Sequence, residues 1–221
     1  IKEYEDKITY WVSEPDKGIF DAMNKGIKKS KGEYCLFLNS SDLLLSDSVL
    51  ESVFKQEICS DILYCNVKTL TEKIVFPDKL KFSDFFTSTI CHQATFIKKT
   101  LFDEFGFYNT NLKMVSDYEF FCKCFLSKKK FLKCDVFLTF FDTNGISNNI
   151  QYRDLGISER TSVLKALIPG MYEDYVELIK VKRQLIYYQN SKIIQAIKKI
   201  LKSKFYIKTV GFLKRKIKKK K

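Results

Sequence analysis

The sequence predicts an α/β fold: a mixed, mostly parallel sheet flanked by helices, with a helical appendage at the C-terminal end. Three observations predict it. Compact apolar runs at residues 34–38 and 61–67 have the pattern of strands buried on both faces. Stretches of helical periodicity alternate with these runs. Beyond Asn144-Gly145 the strand pattern stops and the chain reads as helix to its end.

The elements follow in order. Residues 8–12 (Ile-Thr-Tyr-Trp-Val) are β-branched and aromatic, which predicts a short strand, and a polar turn follows at 13–18. Residues 19–29 read as a helix with Ile19, Ala22, Met23, Gly26 and Ile27 on one face, stopped by Gly32. The strand at 34–38 ends abruptly in Asn39-Ser40-Ser41-Asp42. Ser46 or Asp47 caps a helix to about Gln56, and the next strand is 61–67. Strand, helix, strand, helix, strand is the order of a parallel sheet with right-handed crossovers. Ligands in such sheets sit at the carboxyl ends of the strands, which is where Asn39–Asp42 falls.

Further along, 93–97 is a candidate strand and 99–105 a short helix ended by Gly106. Ser116 is placed to cap a helix to about Ser127, with Tyr118, Phe121, Cys122 and Phe125 inward. A strand lies within 131–141, and helices span about 152–167 and 172–190. The last stretch is basic and amphipathic, with Ile193, Ile194, Ile197, Ile200 and Leu201 in one stripe. This divides the chain into a domain at 1–150, a helical extension at 151–190 and a basic tail at 191–221.

Composition narrows the class. Of 221 residues 45% are apolar, including 20 Phe and 12 Tyr, which is ample for a buried core and excludes a disordered chain. The formal net charge of +13 is local: residues 191–221 hold 13 Lys or Arg and no Asp or Glu, leaving 39 − 13 = 26 basic against 26 acidic groups elsewhere. A neutral body excludes an extended nucleic-acid footprint, and the tail points to an anionic surface. Seven Cys with no C-x-x-C pair and a single His exclude a zinc module, and the Cys read as buried free thiols of a reducing compartment. No apolar run is long enough to span a bilayer, and the chain opens on Ile1 as though inside a domain.

Four segments carry chemistry. Ser13-Glu14-Pro15-Asp16-Lys17-Gly18-Ile19-Phe20-Asp21-Ala22-Met23-Asn24-Lys25-Gly26 is a polar loop feeding a helix, and such a helix start, with Lys17, suits an anion. It is equally the pattern of an ordinary capped loop. In Leu38-Asn39-Ser40-Ser41-Asp42, Asp42 is either a turn residue or a carboxylate for a divalent ion. A metal riding on a diphosphate needs few protein ligands, so one carboxylate suffices. In Cys91-His92-Gln93-Ala94-Thr95-Phe96 the lone His is either a hydrogen-bonded structural residue or part of a site. In Asp117-Tyr118-Glu119 the two acids sit two apart and do not share a helix face.

Together these segments resemble glycosyltransferase family 2, in its bacterial envelope-polysaccharide branch. The match is densest at Glu14–Gly26, where only Phe20 replaces the branch's Tyr, and continues through Gly32-Glu33-Tyr34, Leu38-Asn39-x-x-Asp42, His92-Gln93-x-x-Phe96 and Asp117-Tyr118-Glu119. The resemblance covers roughly residues 1–150 and implies a GT-A-like (Rossmann-like) domain. It implies an inverting sugar transfer from a nucleotide-diphosphate sugar to a saccharide or lipid-linked acceptor, at the inner face of the cell membrane. Asp117 would be the general base. Asp42 would hold Mg²⁺ or Mn²⁺. Asp16, Lys17, Asn24, Asn39, His92 and Gln93 would line the donor site, and Glu119 would stand on the acceptor side. Two departures matter: Ser41 stands where relatives carry a carboxylate or Gly, and the family's opening strand and base-binding turn have no counterpart in the sequence. The competing readings are a catalytically inactive transferase fragment and a basic nucleic-acid- or membrane-binding protein.

Overall fold

The computed structural model describes residues 1–55, 58–142, 145 and 149–202. The chain divides into two compact units, Ile1–Gly170 and Met171–Lys221.

The first unit begins with a 3-10 turn at Lys2–Lys7 and an extended stretch. The predicted strand at 8–12 does not form. Tyr10, Trp11 and Val12 are exposed, and no neighbouring strand pairs with them, so β propensity has no ladder to act in. Helix α1 spans Ile19–Lys29. Its start is fixed by short-range hydrogen bonds: Gly18 N–H donates to Asp16 Oδ1 (2.8 Å) and Lys17 N–H to Asp21 Oδ2 (3.0 Å). Gly18 has φ 118°, a region that favours glycine. The buried face is Phe20, Met23, Asn24 and Ile27, one residue round from the predicted one, with Ile19 exposed. The helix stops at Ser30 rather than Gly32.

Strands β1 (Tyr34–Cys35), β2 (Leu43–Leu44), β3 (Ile62–Lys68), β4 (Lys73–Ile74), β5 (Thr95–Lys98) and β6 (Phe131–Phe140) form one sheet in the order β1-β5-β3-β6-β2, with β4 on β3. Helices α2 (Val49–Val53), α3 (Thr100–Phe105), α4 (Ser116–Leu126) and α5 (Arg153–Leu167) complete the unit. β3 is its centre, with Ile62 through Val67 all buried.

The sheet corrects the expectation of a mostly parallel one. Among the described residues only β3 and β6 pair in parallel; β1/β5, β2/β6, β3/β4 and β3/β5 are antiparallel. β1 and β3 do run the same way, because each is antiparallel to β5. β5 inserts between them, reached from β3 through β4 and 3-10 turns at Phe82–Phe86 and His92–Ala94 rather than through a crossover helix. Burial periodicity reports which faces are covered, not strand direction, so this insertion left no mark in the pattern.

The consequence is positional. The carboxyl ends of β1, β3 and β6 share one edge of the sheet with the amino end of β5. Residues 39–42, His92 and Asp142 therefore gather there. α4 leads into β6, so its amino end, with Asp117, returns to the same edge.

An aromatic cluster ties α1, α3 and α4 together behind this edge. Phe102 stacks on Phe120 (centroids 4.6 Å apart), and both contact Tyr108, which also meets Phe20 and Phe37. Each fully buried ring of this kind contributes about 1.5–3 kcal/mol. α5 packs on α4 and buries Val163 and Leu164, so it belongs to the first unit.

The second unit holds α6 (Tyr172–Asn190) and α7 (Lys192–Lys202). On α7, Ile193, Ile197, Ile200 and Leu201 are exposed beside Lys192, Lys199 and Lys202. Among the described residues no helix is long and apolar enough to cross a membrane. Residues 203–221 of the basic tail lie outside the described residues.

Candidate functional site

The site starts from a tight turn after β1. Asp42 N–H donates to the Asn39 carbonyl (3.1 Å), and Asn39 N–H donates to Asp42 Oδ2 (3.0 Å). The turn needs a left-handed residue, and Ser41 supplies it at φ 73°. That conformation is one a Gly would adopt without strain. Asp42 Oδ1 accepts from Asp142 N–H (3.3 Å), which anchors the turn to the end of β6. Asp42 is buried, at 8% exposure.

The Asn39 side chain reaches the other way. Its Nδ2 lies 3.2 Å from His92 Nε2, and His92 Nδ1 lies 3.0 Å from Asp117 Oδ2. Asp117 sits in the first turn of α4, where the helix dipole favours negative charge. The segment leading into α4 is clamped from α5: Lys113 and Met114 N–H each donate to the Glu159 carboxylate at 2.9 Å. Tyr118 donates its hydroxyl to the Phe85 carbonyl (2.8 Å) and carries the Arg160 guanidinium over its ring. Asp117 is thus held at its backbone by packing and at its carboxylate by His92.

Electrostatics agree that the two carboxylates share one locality. Burial pushes the Cys91 thiol up to about 12, and the charges of Asp117 and Asp42 both push the same way. The Tyr108 phenol is raised well above its usual range by burial and then by Asp117. Its hydroxyl is buried without a hydrogen-bond partner.

The structure therefore joins Asn39, Asp42, His92 and Asp117, and Gln93 is buried beside His92 in the same turn. Asn24 goes elsewhere. Its Nδ2 donates to the Tyr108 carbonyl (2.8 Å) and its Oδ1 accepts from Tyr108 N–H (2.9 Å). Each end of the amide makes one of these bonds, so the side chain staples α1 to the loop after α3. Glu119 pairs with Lys123 one turn along α4 (3.0 Å), on a different face from Asp117. Asp16 and Lys17 stand exposed on the loop that starts α1, Asp16 as the acceptor for Gly18. Sequence reasoning missed Glu159 and Asp142, which reach the site only through hydrogen bonds to residues far away in the chain.

Among the described residues no group of three or more His, Cys, Asp or Glu side chains is arranged to hold a metal ion. Asp42 is the carboxylate that the sequence offers as a ligand. Each of its oxygens accepts one backbone N–H, which leaves each a further lone pair. That suits an ion brought in on a diphosphate and not a cage built by protein alone.

The chain is similar to known proteins over part of its length. No family model matches the chain. A PGL/p-HBAD biosynthesis glycosyltransferase of Mycobacterium tuberculosis is 31% identical over 114 residues, covering 50% of this chain and 44% of the relative. An uncharacterized glycosyltransferase of Rickettsia typhi is 31% identical over 136 residues, covering 54% and 42%. The chain thus spans about half the length of the curated relatives it matches. Among solved structures, S. aureus TarS 1–349 in complex with UDP-GlcNAc superposes with a TM-score of 0.58 at 17% identity, over 75% of this chain and 51% of that one. The same protein with UDP gives 0.56 at 16% identity. The chain is a homologue of glycosyltransferases across about half its length, and its mixed α/β sheet and helices follow the fold of TarS.

Proposed function

We propose that the chain carries the catalytic edge of an inverting glycosyltransferase that uses a nucleotide-diphosphate sugar, with a UDP-sugar the first donor to test. The observation that carries this reading is the connected chain Asp117–His92–Asn39–Asp42, drawn from segments as far apart as residues 39 and 117. The UDP and UDP-GlcNAc complexes of TarS favour the donor class. In the proposed reaction an acceptor hydroxyl attacks the anomeric carbon and its proton passes to Asp117. The bond from that carbon to the diphosphate oxygen breaks, and its electron pair leaves with the nucleoside diphosphate. The family resemblance supports inversion and membership of glycosyltransferase family 2 with a GT-A domain.

Asp42 is proposed to hold Mg²⁺ or Mn²⁺ bound to the donor diphosphate, where the ion neutralises charge on the leaving group. The acceptor class proposed is a saccharide or lipid-linked sugar of envelope synthesis. The basic, apolar-striped α7 and its Lys-rich continuation are proposed to rest on the anionic inner leaflet.

The test is Asp117→Asn in the full gene product, assayed against a panel of nucleotide sugars with Mn²⁺ or Mg²⁺. Transfer should fall about 10²–10⁴-fold, the usual contribution of a general base, with donor affinity unchanged. Equal loss of transfer and donor binding would sink the base role.

A further inference from the structure

His92 is the chain's one histidine, 9% exposed, and both ring nitrogens have a polar neighbour. Their partners constrain where its protons sit. The Asn39 amide can present either its NH₂ or its oxygen to Nε2, since the two ends interchange by rotation. With NH₂ toward the ring, Nε2 must accept, so the neutral imidazole carries its proton on Nδ1. With the oxygen toward the ring, Nε2 must donate. With Asp117 ionised, as its base role requires, a neutral ring would then turn the bare Nδ1 lone pair at a carboxylate oxygen 3.0 Å away, which is repulsive, so the ring carries both protons. Both permitted arrangements put an N–H at Nδ1, donating to Asp117 Oδ2.

We propose that His92 is a positioning residue: its Nδ1–H occupies Asp117 Oδ2, fixes the plane of the carboxylate and leaves Oδ1 to take the acceptor's proton, while Asn39 locks the ring from the other side. This rests on the base role of Asp117. It also gives the 39–42 turn a second task. The Asn39 backbone N–H holds Asp42 and the Asn39 side chain holds His92, so one residue sets both the diphosphate side and the base. His92 keeps its own proton throughout. The acceptor proton goes to Asp117 Oδ1 and from there to solvent after the sugar has moved.

Two substitutions separate the halves of the ring. The amide nitrogen of Asn can fall near the place of Nδ1 and that of Gln near the place of Nε2. His92→Asn therefore keeps a donor on Asp117, and His92→Gln keeps only the contact with Asn39. In the full gene product, kcat should fall about 10²-fold in His92→Gln, the scale of an ångström-sized misplacement, and by less than about tenfold in His92→Asn. The donor KM should hold in both. Unchanged kcat in His92→Gln, equal losses in the two variants, or a donor KM that rises as kcat falls would each overturn the proposal. Asp117→Asn run in parallel distinguishes the failures: if it stays active the base reading is wrong, and if it is dead while His92→Gln is normal only the positioning role is wrong. A readout independent of activity exists as well. One histidine gives one set of ring ¹⁵N resonances, which should report a protonated Nδ1. A ring protonated on Nε2 alone would overturn the proposal even in a preparation with no transferase activity.

Discussion

Asn24→Ala separates a structural role from a donor-binding one. Asn24 is 8% exposed, and its amide makes two hydrogen bonds, of 2.8 and 2.9 Å, to the backbone of Tyr108, a residue 84 positions away. Removing the amide strands one N–H and one C=O at a place where Tyr108 itself is 3% exposed, so water cannot replace both bonds cheaply. Each orphaned buried group costs about 1–3 kcal/mol, and the variant should lose about 2–6 kcal/mol in all. In a domain of this size each kcal/mol moves the melting temperature by about 2–4 °C, so a drop of about 4–24 °C is expected. Denaturant titration of wild type and variant measures the free energy, and calorimetric titration with a nucleotide sugar well below the lowered melting point measures the site. The expected pair is a reduced denaturant midpoint with donor affinity unchanged. A variant with the wild-type midpoint and weakened donor binding would refute the stapling role and return Asn24 to the donor pocket.

Three other predictions follow. Asp42→Ala should abolish the dependence of donor affinity on Mn²⁺ or Mg²⁺, measured by titration with and without chelator; identical affinities in both proteins under both conditions would remove the metal from Asp42. The Cys91, Cys122 and Cys124 thiols are each pushed by burial from an ordinary 9.0 up to about 12. Their native forms hold protons that the unfolded chain releases above pH 9, so the stability they contribute is full below that pH and is lost as pH rises toward 12, by at most about 1.4 kcal/mol per pH unit for each thiol. Denaturant midpoints at pH 8 and pH 10.5 should show that fall, and Cys59, which is exposed, should be alkylated long before the buried Cys122 and Cys124. Deleting residues 191–221 should abolish flotation with vesicles rich in anionic lipid, and equal flotation of the truncated and full chains would remove any role of the tail in docking.

The parts legible in the sequence were those governed by local rules. α1 and α6 begin and end as their periodicity predicts to within a residue, because helical spacing, and turn chemistry such as Asp16 on Gly18, are written within a few positions. β3 was legible because six successive buried residues need no partner to be recognised. Residues 34–38 show where this fails. Their apolar run is continuous, yet the ladder covers only Tyr34–Cys35, since Phe37 leaves it to pack its ring edge-on against Phe102 and Tyr108. The direction of β5 and the company of Asn24 were invisible for one reason. Each is set by contacts between residues far apart in the chain, and neither changes local composition.

The polar motifs carry a subtler ambiguity. Asp42 can be read as a turn residue or as a metal ligand, as though the two excluded each other. Its geometry removes that choice. A carboxylate that accepts Asn39 N–H on one oxygen and Asp142 N–H on the other is a loop staple, and by the same bonds it is aimed and preorganised. An exposed Asp would spend side-chain entropy on meeting an ion, whereas a buried one at 8% exposure has already lost it on folding. The same holds for His92, which is a hydrogen-bonded structural residue and for that very reason can hold Asp117 in one orientation. At this edge of the sheet the bonds that stabilise the turn are the bonds that would set the chemistry. Substitutions there should therefore be read by the ratio of lost stability to lost rate, because loss of activity alone cannot tell the two apart.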